Sequence, residues 1–150
     1  MIAMEMSRHN ISLLGIAETR WIQTGQFCLS TGELILYSGH THNGAGVGFM
    51  LSRQAEKALI GWQPVSSRLM TATLRTKQKR ILTRLIMCYA GCYAPTNEAS
   101  DEIKGQFYER LKGVLGSNRP QRELIILMGD MNAKIGNGNI GYEEVMGTHG

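Results

Sequence analysis

The segment 124–132 constrains the fold of this chain most, because it is an apolar run that ends in polar residues. Residues 124–128 are apolar, Gly129 follows, and Asp130 and Asn132 stand two positions apart. Because side chains alternate along a strand, a backbone that stays extended past Gly129 would point Asp130 and Asn132 the same way. The run therefore predicts a buried strand with a carboxylate and an amide at its end, where α/β proteins commonly place their sites. The alternative interpretation is a strand followed by an Asp/Asn turn.

The composition is that of one folded domain. The chain has 150 residues, of which 43% are hydrophobic and 19% charged, and this is enough to bury a core. Its apolar runs are far shorter than the roughly 20 residues that span a bilayer, and its first residues lack the layout of a signal peptide. We therefore expect a single domain over residues 1–150, with no membrane partner, located in the nucleus or cytoplasm and not secreted.

The cysteines exclude two other classes of small domain. There are three, Cys28, Cys88 and Cys92, with no Cys-x-x-Cys pair. Neither a disulfide framework nor a zinc site is indicated. We expect reduced and mostly buried thiols.

Basic residues are concentrated in the middle of the chain. No acidic residue occurs between Glu56 and Glu98, and this interval holds Lys57, Arg68, Arg75, Lys77, Lys79, Arg80 and Arg84. One positive surface region is predicted, which would suit a polyanion. The candidate nucleic-acid contacts are Arg68, Arg75, Lys77, Lys79 and Arg80. The alternative interpretation is a hairpin with a solvated basic turn at residues 76–80.

The hydrophobic pattern mixes strands with helices. Continuous or alternating apolar residues predict strands over residues 11–17, 34–37, 47–51, 70–75, 81–93 and 124–128. Helical spacing predicts a short helix within residues 1–9 and a longer one that ends at Gly116. Ser100 is the predicted N-cap of the longer helix. Strands, hairpins and helices in this order indicate a layered α/β or α+β sandwich.

Polar side chains follow three of these strands: Glu18, Tyr93, and Asp130 with Asn132. A carboxylate at the end of a buried strand needs compensation, and two carboxylates brought together repel each other. A divalent cation would relieve this repulsion, and Mg²⁺ prefers hard oxygen ligands of this kind. The alternative for Glu18 is an ion pair with Arg20.

Three motifs in this order resemble a known superfamily. They are Glu-Thr-Arg-Trp at 18–21, Tyr-Ala-Pro-Thr at 93–96 and Gly-Asp-Met-Asn-Ala at 129–133. Together they resemble the endonuclease/exonuclease/phosphatase superfamily. Within it, the likeness is to the apurinic-type endonuclease domain of non-LTR retrotransposons and to craniofacial development protein 2-like proteins. The resemblance runs along essentially the whole chain and implies a DNase I-like fold, in which two sheets pack face to face with helices outside.

The resemblance also implies roles for individual residues. Glu18 would bind the catalytic Mg²⁺, with Mn²⁺ as an alternative ion, and the Tyr93 hydroxyl would contact the scissile phosphate. Asp130 would orient or deprotonate the attacking water, and Asn132 would help to position the water and the phosphate. The implied reaction is metal-assisted hydrolysis of a phosphodiester in DNA. No obligate protein partner is expected.

The chain departs from the family pattern at both ends. An asparagine on a strand preceding residue 1 and an aspartate–histidine pair beyond Gly150 would belong to the pattern, and His149 does not match that pair. We therefore expect a DNase I-like sandwich that is incomplete at both ends, with exposed apolar edges and a weakened or inactive site.

A short repeat leaves the tyrosine assignment open. Cys-Tyr-Ala occurs at 88–90 and again at 92–94. A spacing of four keeps the same strand face, so Tyr89 or Tyr93 can occupy the inward position. The residues that follow, Ala94-Pro95-Thr96, favour Tyr93.

Three functional hypotheses remain at this point. The first is a DNA-nicking, Mg²⁺-dependent endonuclease domain of retrotransposon origin. The second is a catalytically inactive remnant that binds nucleic acid or chromatin through the basic region. The third is a phosphatase of phosphoinositides or other small phosphate esters.

Overall fold

A computed structural model describes residues 1–39, 46–78, 80–89, 97–116 and 123–130 of the chain. These residues form three helices and eight strands, in the order α1 (Ile2–Arg8), β1 (Leu13–Ala17), β2 (Gly25–Cys28), β3 (Leu34–Ser38), β4 (Val47–Leu51), α2 (Arg53–Ala58), β5 (Leu59–Ser66), β6 (Leu69–Arg75), β7 (Leu82–Tyr89), α3 (Asn97–Gly116) and β8 (Glu123–Asp130).

The strands form two four-stranded sheets. The first sheet has the order β1-β4-β3-β2 and is antiparallel throughout. The second sheet has the order β5-β6-β7-β8, and only its β7–β8 pair is parallel. A parallel pair requires a long crossover, and α3 lies within this one. The fold class is therefore α/β, as predicted, and its two sheets are mainly antiparallel.

The two sheets share one hydrophobic core. Side chains of both sheets meet in it, among them Leu36 and Phe49 from the first sheet and Leu85 and Met87 from the second. Burial of these apolar side chains stabilises the face-to-face packing by about 1.5–3 kcal/mol each.

Helices α1 and α3 cover the outer faces of the two sheets. Met6 of α1 packs on Ile35 and Met50 of the first sheet. Phe107 and Leu111 of α3 pack on a second-sheet surface that includes Leu69, Ile86 and Cys88. Strands β3 and β4 are therefore covered on both sides, which explains their continuous apolar sequences.

Several local predictions are corrected by the structure. Strands β2 and β5 and helix α2 were not predicted, because their apolar residues follow neither simple period. Helix α3 begins at Asn97, so the prediction of Ser100 as its N-cap is wrong. Strand β7 ends at Tyr89, and the remainder of the predicted strand lies outside the described residues. Cys88 is buried as predicted, whereas Cys28 is exposed.

The apolar sequence of strand β8 predicts a buried strand, but the strand is partly exposed. Among the described strands it lies at the edge of the second sheet, and Leu124 is 54% exposed and Ile126 40% exposed. An edge position leaves one side without a paired strand, so an apolar run does not imply full burial there. Among the described helices, none combines the length and apolarity needed to cross a bilayer.

Candidate active site

The ends of three strands meet at one edge of the sandwich. Strands β7 and β8 are parallel, and Tyr89 pairs with Asp130 at their carboxyl ends. Paired residues of neighbouring strands project to the same face of the sheet. Strand β1 packs against this pair: a Cβ on Gly15 would lie 2.7 Å from the sulfur of Met87 and 2.9 Å from that of Met128. The close approach of β1 carries the residue that follows it, Glu18, to the same edge.

Glu18 and Tyr89 are joined by a hydrogen bond. The Tyr89 hydroxyl donates to Glu18 Oε1 over 2.5 Å. This contact links the two sheets through side chains 71 positions apart in sequence. Glu18 therefore engages Tyr89, and no ion pair with Arg20 is found within the described part of the chain.

The environment of Tyr89 is anionic. The hydrogen bond to Glu18, followed by burial and by the negative charges of Glu18 and Asp130, raises the pKa of Tyr89 to about 12, while Arg68 opposes the shift. Both carboxylates therefore act on one phenol. Burial and the charge of Asp130 also raise the pKa of the Cys88 thiol. Tyr89 is thus a neutral donor between two carboxylates at neutral pH.

A backbone turn presents Glu18. Glu18 and Arg20 have φ values of 55° and 52°, in the left-handed region that costs about 1–2 kcal/mol for residues other than glycine. Strained backbone of this kind is concentrated at functional sites. The Thr19 amide donates to the Gly46 carbonyl over 3.1 Å, and the Trp21 ring lies 4.9 Å from that of Tyr37. Thr19 and Trp21, which sequence reasoning did not assign a role, therefore anchor the turn.

Asp130 is presented by a glycine that no other residue can replace without strain. Gly129 has a φ of 136°, and a Cβ at this position would collide with the Cys88 carbonyl on β7. Glycine is therefore required before Asp130 for a steric reason that the sequence pattern did not reveal.

We expect the ionisation of Tyr89 to report on Glu18. Ultraviolet difference absorbance should give a pKa of about 12 for Tyr89 in wild type. The titration curve of Tyr89→Phe is subtracted first, because it contains the signal of the other tyrosines. In Glu18→Gln the pKa should fall towards the ordinary value near 10, because the carboxylate acceptor and its charge are gone. Because the pKa of Tyr89 is higher in the folded than in the unfolded state, its hydrogen bond stabilises the fold fully below about pH 10. This stabilisation is lost as the pH rises towards 12. An unchanged pKa in Glu18→Gln would show that the contact does not form.

The basic residues are divided between two ends of the second sheet. Arg68 directly precedes β6, beside Tyr89 at the end of β7. Arg75 ends β6, and Lys77 and Arg80 lie in the turn that leads to β7. Strand β6 therefore separates Arg68 from the basic residues at the Arg75 end by roughly 20 Å, at about 3.3 Å per residue. The predicted single positive region is therefore two regions.

The other basic residues of the interval differ in environment. Arg84 Nε lies 2.8 Å from the Glu123 carboxylate, and its guanidinium also donates to the Val114 carbonyl over 3.3 Å. This pairing ties β7 to β8 and to α3. Lys79 lies outside the described residues.

Among the predicted site residues, the structure brings Glu18 and Asp130 together around Tyr89. Tyr93 and Asn132 lie outside the described residues, as do His40, His42 and His149. His9, the C-cap residue of α1, lies on the surface with its Nε2 3.3 Å from the Glu5 carboxylate. The sequence signal that pointed to Tyr89 is the repeated Cys-Tyr-Ala.

Comparison with known proteins finds relatives along nearly the full chain, although no family model matches it. Craniofacial development protein 2 of Bos taurus is 29% identical over 140 residues, which are 93% of this chain and 22% of that protein. The same protein of Tragulus javanicus is 30% identical over 140 residues, 93% of this chain and 23% of its own length. The chain thus spans less than a quarter of the curated relatives that it matches. It is similar in sequence to a segment of Craniofacial development protein 2.

Proposed function

We propose that this chain is a Mg²⁺-dependent phosphodiesterase domain that nicks DNA, of the DNase I-like endonuclease/exonuclease/phosphatase type and of retrotransposon origin. The observation that carries the proposal is the convergence of Glu18, Tyr89 and Asp130 at one edge of the sandwich. Two carboxylates from different sheets converge there on one phenol. A structural role alone would not require this concentration of acidic groups at strand ends.

The donor set fits a magnesium ion. Mg²⁺ is commonly held by one or two carboxylates together with substrate phosphate. Glu18 supplies one such carboxylate, although no cluster of three or more His, Cys, Asp or Glu side chains occurs among the described residues. Glu18 is the proposed metal ligand, with Mn²⁺ as an alternative ion. When bound, the ion would stabilise negative charge on the phosphate during attack by water.

The protein side chains have separate tasks in this proposal. Asp130 orients the attacking water and accepts its proton, because a carboxylate that acts as a general base must lie near the water it deprotonates. Tyr89 holds the Glu18 carboxylate in one orientation through its hydroxyl and presents that hydroxyl near the phosphate. Asn132, two residues beyond Asp130, is proposed to position the same water and the phosphate.

The test of the function is nicking of supercoiled plasmid in Mg²⁺ beside an identical reaction in EDTA. The proposal expects conversion to the relaxed form in Mg²⁺ only. Relaxation of equal extent in EDTA, or none in either reaction with folded protein, would contradict it. Release of phosphate from inositol phosphates without nicking would favour the small-ester phosphatase instead.

The proposal also distinguishes the two tyrosines. We expect Tyr89→Phe to slow nicking by about 10- to 100-fold, because residues that orient a metal ligand typically contribute this much. Tyr93→Phe tests the assignment that the motif at 93–96 favours. A larger loss of nicking rate in Tyr93→Phe than in Tyr89→Phe would assign the phosphate contact to Tyr93.

One observation favours the second candidate, a nucleic-acid-binding remnant without catalysis. Arg75, Lys77 and Arg80 are exposed around one turn, away from the carboxylates. Phosphate contacts by such residues give affinity that falls as salt rises. Salt-dependent DNA binding that persists in Asp130→Ala, without nicking by wild type, would support this candidate.

A further inference from the structure

We infer that Arg68 belongs to the candidate active site and binds the substrate phosphate there. This inference rests on the proposed function and deepens it, because it gives the site a cation from the protein itself. The Arg68 guanidinium carbon lies 6.0 Å from the centre of the Tyr89 ring. Arg68 also lies in the turn between β5 and β6, at the same end of the second sheet as Asp130.

Two hydrogen bonds hold the backbone of Arg68. Its amide donates to Ser66 Oγ over 3.2 Å, and its carbonyl accepts from the Tyr89 amide over 2.9 Å. The Ser66 carbonyl in turn accepts a 2.7 Å hydrogen bond from Ser38, a buried hydroxyl of the first sheet. The turn that carries Arg68 is therefore fixed to both sheets, and one guanidinium nitrogen, Nη1, is buried. A side chain anchored in this way loses less conformational entropy on binding than a free surface arginine.

The charges around Tyr89 show what such a cation would do. Two carboxylates act on this residue, and among the described residues Arg68 acts against them. A phosphodiester approaching this edge is repelled by Glu18 and Asp130 unless positive charge is present. Arginine presents a planar fork of donors that matches phosphate oxygens. Arg75, Lys77 and Arg80 lie at the opposite end of the hairpin and cannot reach the same phosphate.

The test is a titration of inorganic phosphate in the presence of Mg²⁺, followed by phosphorus NMR. The proteins are wild type, Arg68→Gln and Arg110→Gln, and the second variant loses the same charge from an exposed position on α3. We expect Arg68→Gln to weaken phosphate binding by about 10-fold or more, because charge-assisted hydrogen bonds are lost. Arg110→Gln should bind as wild type does. Equal binding by all three proteins, equal weakening in both variants, or no binding by wild type would overturn the inference.

A further variant separates charge from folding. Arg68→Lys keeps the charge and loses the fork, so its affinity should fall between wild type and Arg68→Gln. Thermal unfolding of each variant controls for loss of the anchored turn. Because phosphate binding needs no turnover, phosphate bound through Arg68 without plasmid nicking would contradict the proposed function and not this inference. Nicking without any effect of Arg68→Gln on phosphate binding would contradict the inference and not the function.

Discussion

Replacement of Gly129 by alanine is expected to lower the free energy of unfolding by about 3 kcal/mol, a large effect for one methyl group. Two costs add. Gly129 has a φ of 136°, a conformation that side-chain-bearing residues rarely adopt. The added Cβ would also collide with the Cys88 carbonyl, and backbone atoms of a paired strand cannot rotate away. The β7–β8 pair must therefore shift, and it would carry Asp130 away from Tyr89.

Gly61→Ala provides the matched control for this prediction. Gly61 lies in β5 of the same sheet, and a Cβ there meets no atom within 4 Å. Its replacement should change stability by less than about 0.5 kcal/mol, as is usual for surface substitutions. Urea unfolding followed by circular dichroism measures both variants. Equal destabilisation in Gly129→Ala and Gly61→Ala would show that the Gly129 conformation is not needed.

The sequence predicts the apolar strands of the core well. Strands β3 and β4 are apolar on both faces because α1 and the second sheet cover them, so continuous apolar runs identify them correctly. Strand β5 could not be predicted in the same way. Its sequence, Leu-Ile-Gly-Trp-Gln-Pro-Val-Ser, follows no simple alternation, and its pairing with β6 contains two irregularities. Register shifts of this kind remove the period on which such predictions depend.

The site could be predicted only in part, because it is assembled across the two sheets. Glu18 and Asp130 are identified by their places after apolar strands, and the structure brings both to Tyr89. Tyr89 pairs with Asp130, and the sequence could not predict this pairing because the spacing of the repeat does not determine strand register. The separation of Arg68 from Arg75 likewise follows from the length of β6, not from charge density along the chain.

Asp130→Asn is expected to reduce the rate of plasmid nicking by about 100- to 10,000-fold, the usual contribution of a general base. The substitution keeps size and hydrogen-bonding capacity but removes the charge that would accept a proton. It also removes one of the two carboxylates that act on Tyr89, so the pKa of Tyr89 should fall slightly. Folding should be little affected, because Asp130 is exposed at the end of β8.

The central claim is that the strand-end site of Glu18, Tyr89 and Asp130 hydrolyses phosphodiesters with Mg²⁺. Its most direct test measures nicking rates of wild type, Asp130→Asn and Glu102→Gln in Mg²⁺, each beside an EDTA reaction. Glu102→Gln removes an exposed carboxylate from α3 and serves as the matched control. We predict Mg²⁺-dependent nicking by wild type and Glu102→Gln, and its loss in Asp130→Asn. Nicking that survives in Asp130→Asn, or is absent from folded wild type in Mg²⁺, would contradict the claim.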